Sequence, residues 1–158
     1  MSKPLLHLAQ VNIALPIEPL DSARLADFVA AIAPINALAD TSPGFVWRLG
    51  DATNVRGFGD DRLIINMSTW TSLAALADYA FKSAHAEVMR ERRRWFAVMK
   101  EAYSVLWWVP AGHQPTMAEA EERLAHLRAH GPTPYAFTFK QPFEGTGASG
   151  ARREECPV

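Results

Sequence analysis

The sequence predicts an α+β domain of β-α-β-β-α-β order, the split-βαβ or ferredoxin-like arrangement, with one further helix appended after the last strand. Three observations carry this expectation. Strand-like segments stand at residues 5–15 and 63–70, where side chains sort with a period of two, at 45–49, short, aromatic and followed by Gly50, and at 105–109, Trp-rich and closed by Pro110-Ala-Gly112. Longer stretches of helical spacing fall between the first and second and between the third and fourth of them. A capped amphipathic stretch follows the last.

In the first strand, Leu6, Leu8, Gln10, Asn12 and Ala14 fall on one face, and His7, Ala9, Val11, Ile13 and Leu15 on the other. Pro16 and Pro19 end it, and Asp21 or Ser22 offers an N-cap to a helix with an apolar stripe of Leu25, Phe28, Val29 and Ile32. Pro34 is expected to kink or restart that helix, because it lacks a donor N–H. A turn at Thr41-Ser-Pro-Gly44 leads to the second strand, and a loop with three glycines and three aspartates spans residues 50–62. The third strand sets Ile64, Asn66, Ser68 and Trp70 on one face. Helix is expected over residues 72–103, with a break near Ser83. Thr116 and Glu119 have capping-box spacing, Ala120, Leu124 and Leu127 form the apolar face of the last helix, and Gly131-Pro132 stops it. Residues 136–139 suit an edge strand or a docking arm.

Composition narrows the function classes. The 158 residues are 49% hydrophobic and 21% charged, which suits one packed domain and excludes disorder over most of the chain. Sixteen basic and seventeen acidic side chains leave a net charge of -1, which argues against a nucleic-acid partner. The one cysteine, Cys156, allows neither an internal disulfide nor a zinc finger. No apolar run approaches the roughly 20 residues that span a bilayer, and the first residues lack a signal-peptide pattern. The expectation is a cytoplasmic protein without membrane partners, with one domain over residues 1–143 and a mobile tail over 144–158. The sheet face away from the two main helices would expose Trp and Ile side chains in a lone domain, which predicts a homodimer pairing sheet against sheet.

Polar residues at positions the periodicity assigns to the interior are the candidate site. His85 and Arg92 share a stripe with Phe81, Val88, Trp95 and Met99, which places them two turns apart, about 10 Å along one helix. A histidine and an arginine among apolar groups can bind an anion or move a proton. Asn12 and Asn66 lie in largely apolar strands, where an amide must satisfy backbone or hold a ligand oxygen. Trp70 shares the face of Asn66 and can offer its indole N–H. Asn36, Arg48 and Trp95 complete the candidate substrate contacts. Each has a structural counterpart: a capping histidine, an Arg–carboxylate pair, a core tryptophan. Trp47, Trp107 and Trp108 read as core or interface residues, His113 as a surface residue, and His126 and His130 as groups at a helix C-terminus rather than metal ligands.

Leu8-Ala-Gln-Val-Asn12, Pro34-Ile-Asn36, Pro43-Gly-Phe-Val-Trp-Arg48, Asn66-Met-Ser-Thr-Trp70, His85, Arg93-Arg-Trp-Phe96 and Trp107-Trp-Val-Pro-Ala-Gly-His113 resemble a bacterial family of domains of unknown function. That family is similar to members of the dimeric α+β barrel superfamily, alongside antibiotic-biosynthesis monooxygenases. The resemblance implies a homodimeric barrel and a small-molecule monooxygenase that acts on an aromatic or polyketide-like substrate without a required cofactor. In that reading Asn12, Asn66 and Trp70 hold a developing oxyanion, His85 takes the proton and Arg92 lowers the substrate pKa. Haem-degrading relatives imply an alternative in which His85 is the iron ligand of a bound haem. A cyclase or isomerase, or a non-catalytic small-molecule binding module, are further readings of the same pocket.

Overall fold

The computed structural model describes residues 5–50 and 55–145. Strand β1 (Leu6–Ala14) leads through a 3-10 turn (Ala23–Leu25) into helix α1 (Ala26–Thr41). Strands β2 (Phe45–Arg48) and β3 (Ile64–Trp70) follow, then helices α2 (Leu73–Lys82), α3 (Ala84–Arg90) and α4 (Arg92–Trp95), strand β4 (Ser104–Pro110) and helix α5 (Met117–His130). The sheet order is β2-β3-β1-β4 with every neighbour antiparallel, so the fold is α+β and ferredoxin-like with a helix appended at its C-terminal end. No helix among the described residues is long and apolar enough to cross a membrane. The expected tail lies, beyond residue 145, outside the described residues, as does Cys156.

Alternation along the strands sorts the core into two. Ala9, Val11, Ile13, Ile65, Met67, Val105 and Trp107 are buried on one sheet face against Ala120, Leu124 and Leu127 of α5. This removes the reason for pairing sheet against sheet: the face expected to need a second copy is covered within the chain by α5, which brings its own leucines to it. Half of the expected capping box behind that helix forms: Thr116 Oγ1 accepts from the Glu119 N–H at 3.1 Å, while the Glu119 carboxylate turns to other partners; Gly131 at φ 77° ends the helix. Glu119 also accepts from the Trp107 indole at 2.8 Å and lies 2.7 Å from His113 Nε2. Burial, which would raise the Glu119 pKa, is outweighed by these two hydrogen bonds, and the carboxyl is held below its ordinary value.

The helical region after β3 departs from the expected single stripe. Ser83 caps α3, its Oγ accepting from the His85 N–H at 3.1 Å, and the chain breaks again at Glu91. Helix ends at Trp95 rather than near residue 103, because the backbone there turns to the end of β1: Ile17 N–H donates to Trp95 O at 2.8 Å and Ala97 N–H to Leu15 O at 2.9 Å. Pro34 does not restart α1, which runs through it, and Val29 is exposed rather than part of a buried stripe. Residues 136–139 form an arm rather than a strand: Leu106 and Phe137 exchange two backbone hydrogen bonds, at 2.8 and 2.9 Å, and Phe137 is fully buried.

Candidate functional site

The sheet face opposite α5 is apolar at both ends and polar in its middle. Register explains this. Asn12 stands directly across from Asn66 and Gln10 across from Ser68, with Leu8 facing Trp70 and Ala14 facing Ile64 at the two ends. Slipping β1 by one residue would turn Leu8, Gln10, Asn12 and Ala14 to the α5 face and dismantle every one of these pairs. Cross-strand neighbours approach within about 5 Å, close enough for the four polar groups to form one network.

Gln10 is its hub. Its Nε2 donates to Asn66 Oδ1 at 2.8 Å and to Ser68 Oγ at 2.9 Å, while its Oε1 accepts from Asn12 Nδ2 at 3.0 Å. The Trp70 indole, which can only donate, gives its N–H to the same Ser68 oxygen at 2.8 Å. With Ser68 Oγ accepting twice, its own proton is left to donate elsewhere. Asn66 Nδ2 has no protein partner among the described residues. In this polarity the floor offers hydrogen-bond donors to whatever lies above it. An anionic oxygen there favours this polarity over its mirror, in which all three amides exchange donor for acceptor.

Above the floor is a cleft of about 500 Å³, walled by α2, α3 and the segment before β4. His85, Tyr79, Arg90, Arg92 and Tyr103 line it together with Gln10, Asn12, Asn66 and Ser68. His85 Nδ1 lies 3.2 Å from the Ala80 carbonyl. A carbonyl only accepts, so Nδ1 carries the proton and Nε2 keeps its lone pair. Burial lowers the His85 pKa below the ordinary histidine value, the Ala80 hydrogen bond opposing in part, so the ring is neutral at pH 7. Tyr79 packs between Trp70 and His85, with ring centroids 5.1 and 4.8 Å away, and burial pushes its hydroxyl up to about 12. Tyr79 is therefore a protonated spacer that fixes the imidazole. Arg92 lies over the Tyr103 ring at 4.6 Å and has no carboxylate partner among the described residues.

Of the residues expected at the site, Asn12, Asn66, His85 and Arg92 line this one cleft, and Asn36 lines a recess that opens from it. Three do not belong. Trp70 is fully buried and its N–H is taken by Ser68, so it supports the floor instead of meeting a ligand. Arg48 is held by Asp40 at 2.7 and 3.2 Å and pins β2 to the end of α1; its guanidinium in turn holds the Asp40 carboxyl below its ordinary pKa. Trp95 is 3% exposed and packs on Phe28 and Phe96, because the break at Glu91 ends the helical phase that linked it to His85. Gln10, Ser68 and Tyr79 were not singled out. Gln10 and Ser68 were readable as a second polar pair on the face of Asn12 and Asn66; nothing local marks Tyr79. The His126 and His130 rings lie tilted with centroids 4.4 Å apart, and no group of three metal-ligating side chains occurs among the described residues.

The model of a family described as a domain of unknown function (DUF3291) matches residues 7–153. The chain belongs to this family. It is the kind of family the sequence motifs resembled, and its description assigns no activity. No curated protein matches the chain. Solved structures with some likeness include SnoaB, a cofactor-independent oxygenase from Streptomyces nogalater, at 18% identity over 68% of this chain and 95% of that one, with a TM-score of 0.46. MupZ from Pseudomonas fluorescens follows at 14% identity over 92% and 93%, with a TM-score of 0.45. The NE2512 protein of unknown function from Nitrosomonas europaea is 14% identical over 71% and 95%, also at 0.45.

Proposed function

We propose that the cleft is the active site of a small-molecule enzyme that removes a proton from a phenol or an enolisable carbonyl compound, and that the resulting anion reacts with dioxygen. One observation carries the reading: a neutral imidazole with an unengaged Nε2 shares its cleft with a floor of hydrogen-bond donors and a guanidinium without a carboxylate partner among the described residues. His85 takes the proton at Nε2, its tautomer held by the Ala80 carbonyl. Asn66 Nδ2 and the Ser68 hydroxyl stabilise the oxyanion, each well-placed donor contributing about 3 kcal/mol. Arg92 favours the anion by its fixed charge.

For an aromatic or polyketide-like substrate with an activated methylene the balance is R₂CH₂ + O₂ → R₂C=O + H₂O. The carbanion passes one electron to dioxygen, the two radicals combine, and the peroxide takes a proton and loses water to give the ketone. No step requires a bound cofactor. The test is dioxygen uptake with an anthrone as probe. Uptake should be stoichiometric with quinone formed, unchanged by added flavin or chelator, and about 10²–10³-fold slower in Asn66→Ala. Deuterium incorporation at the methylene without dioxygen uptake would leave the base in place and make the enzyme an isomerase or cyclase instead.

The same His85 geometry favours a second reading. A ring nitrogen anchored on a carbonyl leaves the other as donor, the usual arrangement of a histidine metal ligand. Haem held through His85 Nε2 would supply redox chemistry at iron. Titration with hemin decides it: a sharp Soret band that His85→Ala abolishes supports haem, and an unchanged hemin spectrum ends that reading.

A further inference from the structure

Helix α1 is rich in apolar residues, yet Ala39 is the one it buries. The space it leaves is a recess of about 110 Å³ between α1 and α3, lined by Phe28, Ala31, Ile32, Ile35 and Val88. Asn12, Asn66, Tyr79, His85, Met89 and Arg92 border both this recess and the large cleft. Apart from that shared wall, its one polar lining residue is Asn36, which makes no side-chain hydrogen bond among the described residues. A close-packed interior leaves few voids larger than a water molecule. An apolar hollow beside a proton-abstracting group therefore calls for an occupant.

We propose that the recess is the specificity pocket of the enzyme and takes a short alkyl arm attached next to the reacting centre of the substrate. The inference rests on the reading of the shared wall as the place where the proton is removed. The reacting carbon or oxygen sits at that wall, the bulk of the molecule fills the 500 Å³ cleft, and the arm enters between α1 and α3. Size sets the length. A cavity of about 150 Å³ admits benzene, so this smaller recess takes a chain of about three or four carbons and no ring. Asn36 gives a hydroxyl or carbonyl on the arm a partner. A longer arm would have to lift α1, whose C-terminal end is tied down by the Arg48–Asp40 pair.

Calorimetric titration of the full chain with 2-alkylphenols, from methyl to hexyl, reads the pocket directly. Affinity should rise about fourfold per added methylene while the arm is being buried, then fall beyond butyl. Ala31→Phe should flatten the series. Ile35→Ala should move the optimum to longer arms, a gain that a merely destabilised protein does not show. Affinity independent of chain length in the unaltered protein would overturn the proposal. So would an optimum that neither substitution moves. Proton abstraction is read separately, by deuterium exchange and dioxygen uptake, so either idea can fail while the other stands.

Discussion

The two faces of the sheet are built from alternate residues of the same strands and end up as opposite environments. On one, Ala9, Val11, Met67 and Trp107 meet Leu124 and Leu127 and water is excluded. On the other, Gln10, Asn12, Asn66 and Ser68 occupy the centre, and α2 and α3 stand back from them around a cleft. The polar floor explains the gap. Covering four amide and hydroxyl groups with aliphatic side chains would cost the desolvation of every donor left unpaired. The helices therefore pack at the apolar ends of the face, on Leu8 and Trp70 at one end and on Ala14 and Ile64 at the other. The α5 side is one continuous apolar core, whereas the other face has two apolar clusters separated by the polar floor.

Substitutions should separate accordingly. His85→Gln should slow deuterium exchange at the substrate methylene by about 10²–10⁴-fold, with an unfolding midpoint close to that of the unaltered protein; a variant exchanging at full rate would end the role of His85 as base. Leu124→Ala on the opposite face should cost about 2–5 kcal/mol in urea unfolding and leave phenol affinity intact. A parallel loss of affinity would mean the two faces are coupled. Trp70→Phe removes one donor from Ser68 and should cost about 1 kcal/mol of stability, with a smaller rate effect than Asn66→Ala. Equal rate effects would return Trp70 to direct contact with substrate.

The smallest effect is the pH dependence of stability. Burial lowers the His85 pKa in the folded chain, so on acidification the unfolded chain binds the proton first. Stability is then fully present above the ordinary histidine value of about 6.5 and declines as pH falls from there toward the lower folded-state value. Comparing urea midpoints of the unaltered protein and His85→Gln through that window isolates the contribution. Identical pH profiles would mean that His85 is not buried as described.

Much of the fold was legible because it depends on local pattern. Period-two alternation marked the first and third strands, and aromatic runs closed by glycine or proline turns marked the second and fourth; alternation put Asn12 with Gln10, and Asn66 with Ser68, on one face of its own strand, and register brought the two faces together. The capping box, the leucines of α5 and Gly131 marked the last helix. The site was legible only where a polar residue broke an apolar pattern, as Asn12, Asn66, His85 and Arg92 do. Trp95 misled because its phase with His85 assumed a continuous helix, and the break at Glu91 resets that phase. Arg48 and Trp70 misled for another reason: whether an N–H faces a ligand or a neighbour depends on which oxygen the fold brings within 3 Å. Asp40 and Ser68 supply those oxygens.

By itself the sequence determined the order of elements, the sorting of residues between faces and the polar character of one of them, since these follow from backbone geometry and side-chain spacing. Tertiary structure alone decided that α5 covers the apolar face, that Gln10 joins four polar groups into one floor, and that α1 stands off to leave a recess. Those outcomes depend on strand register and on which distant side chains meet, and no local interaction encodes either.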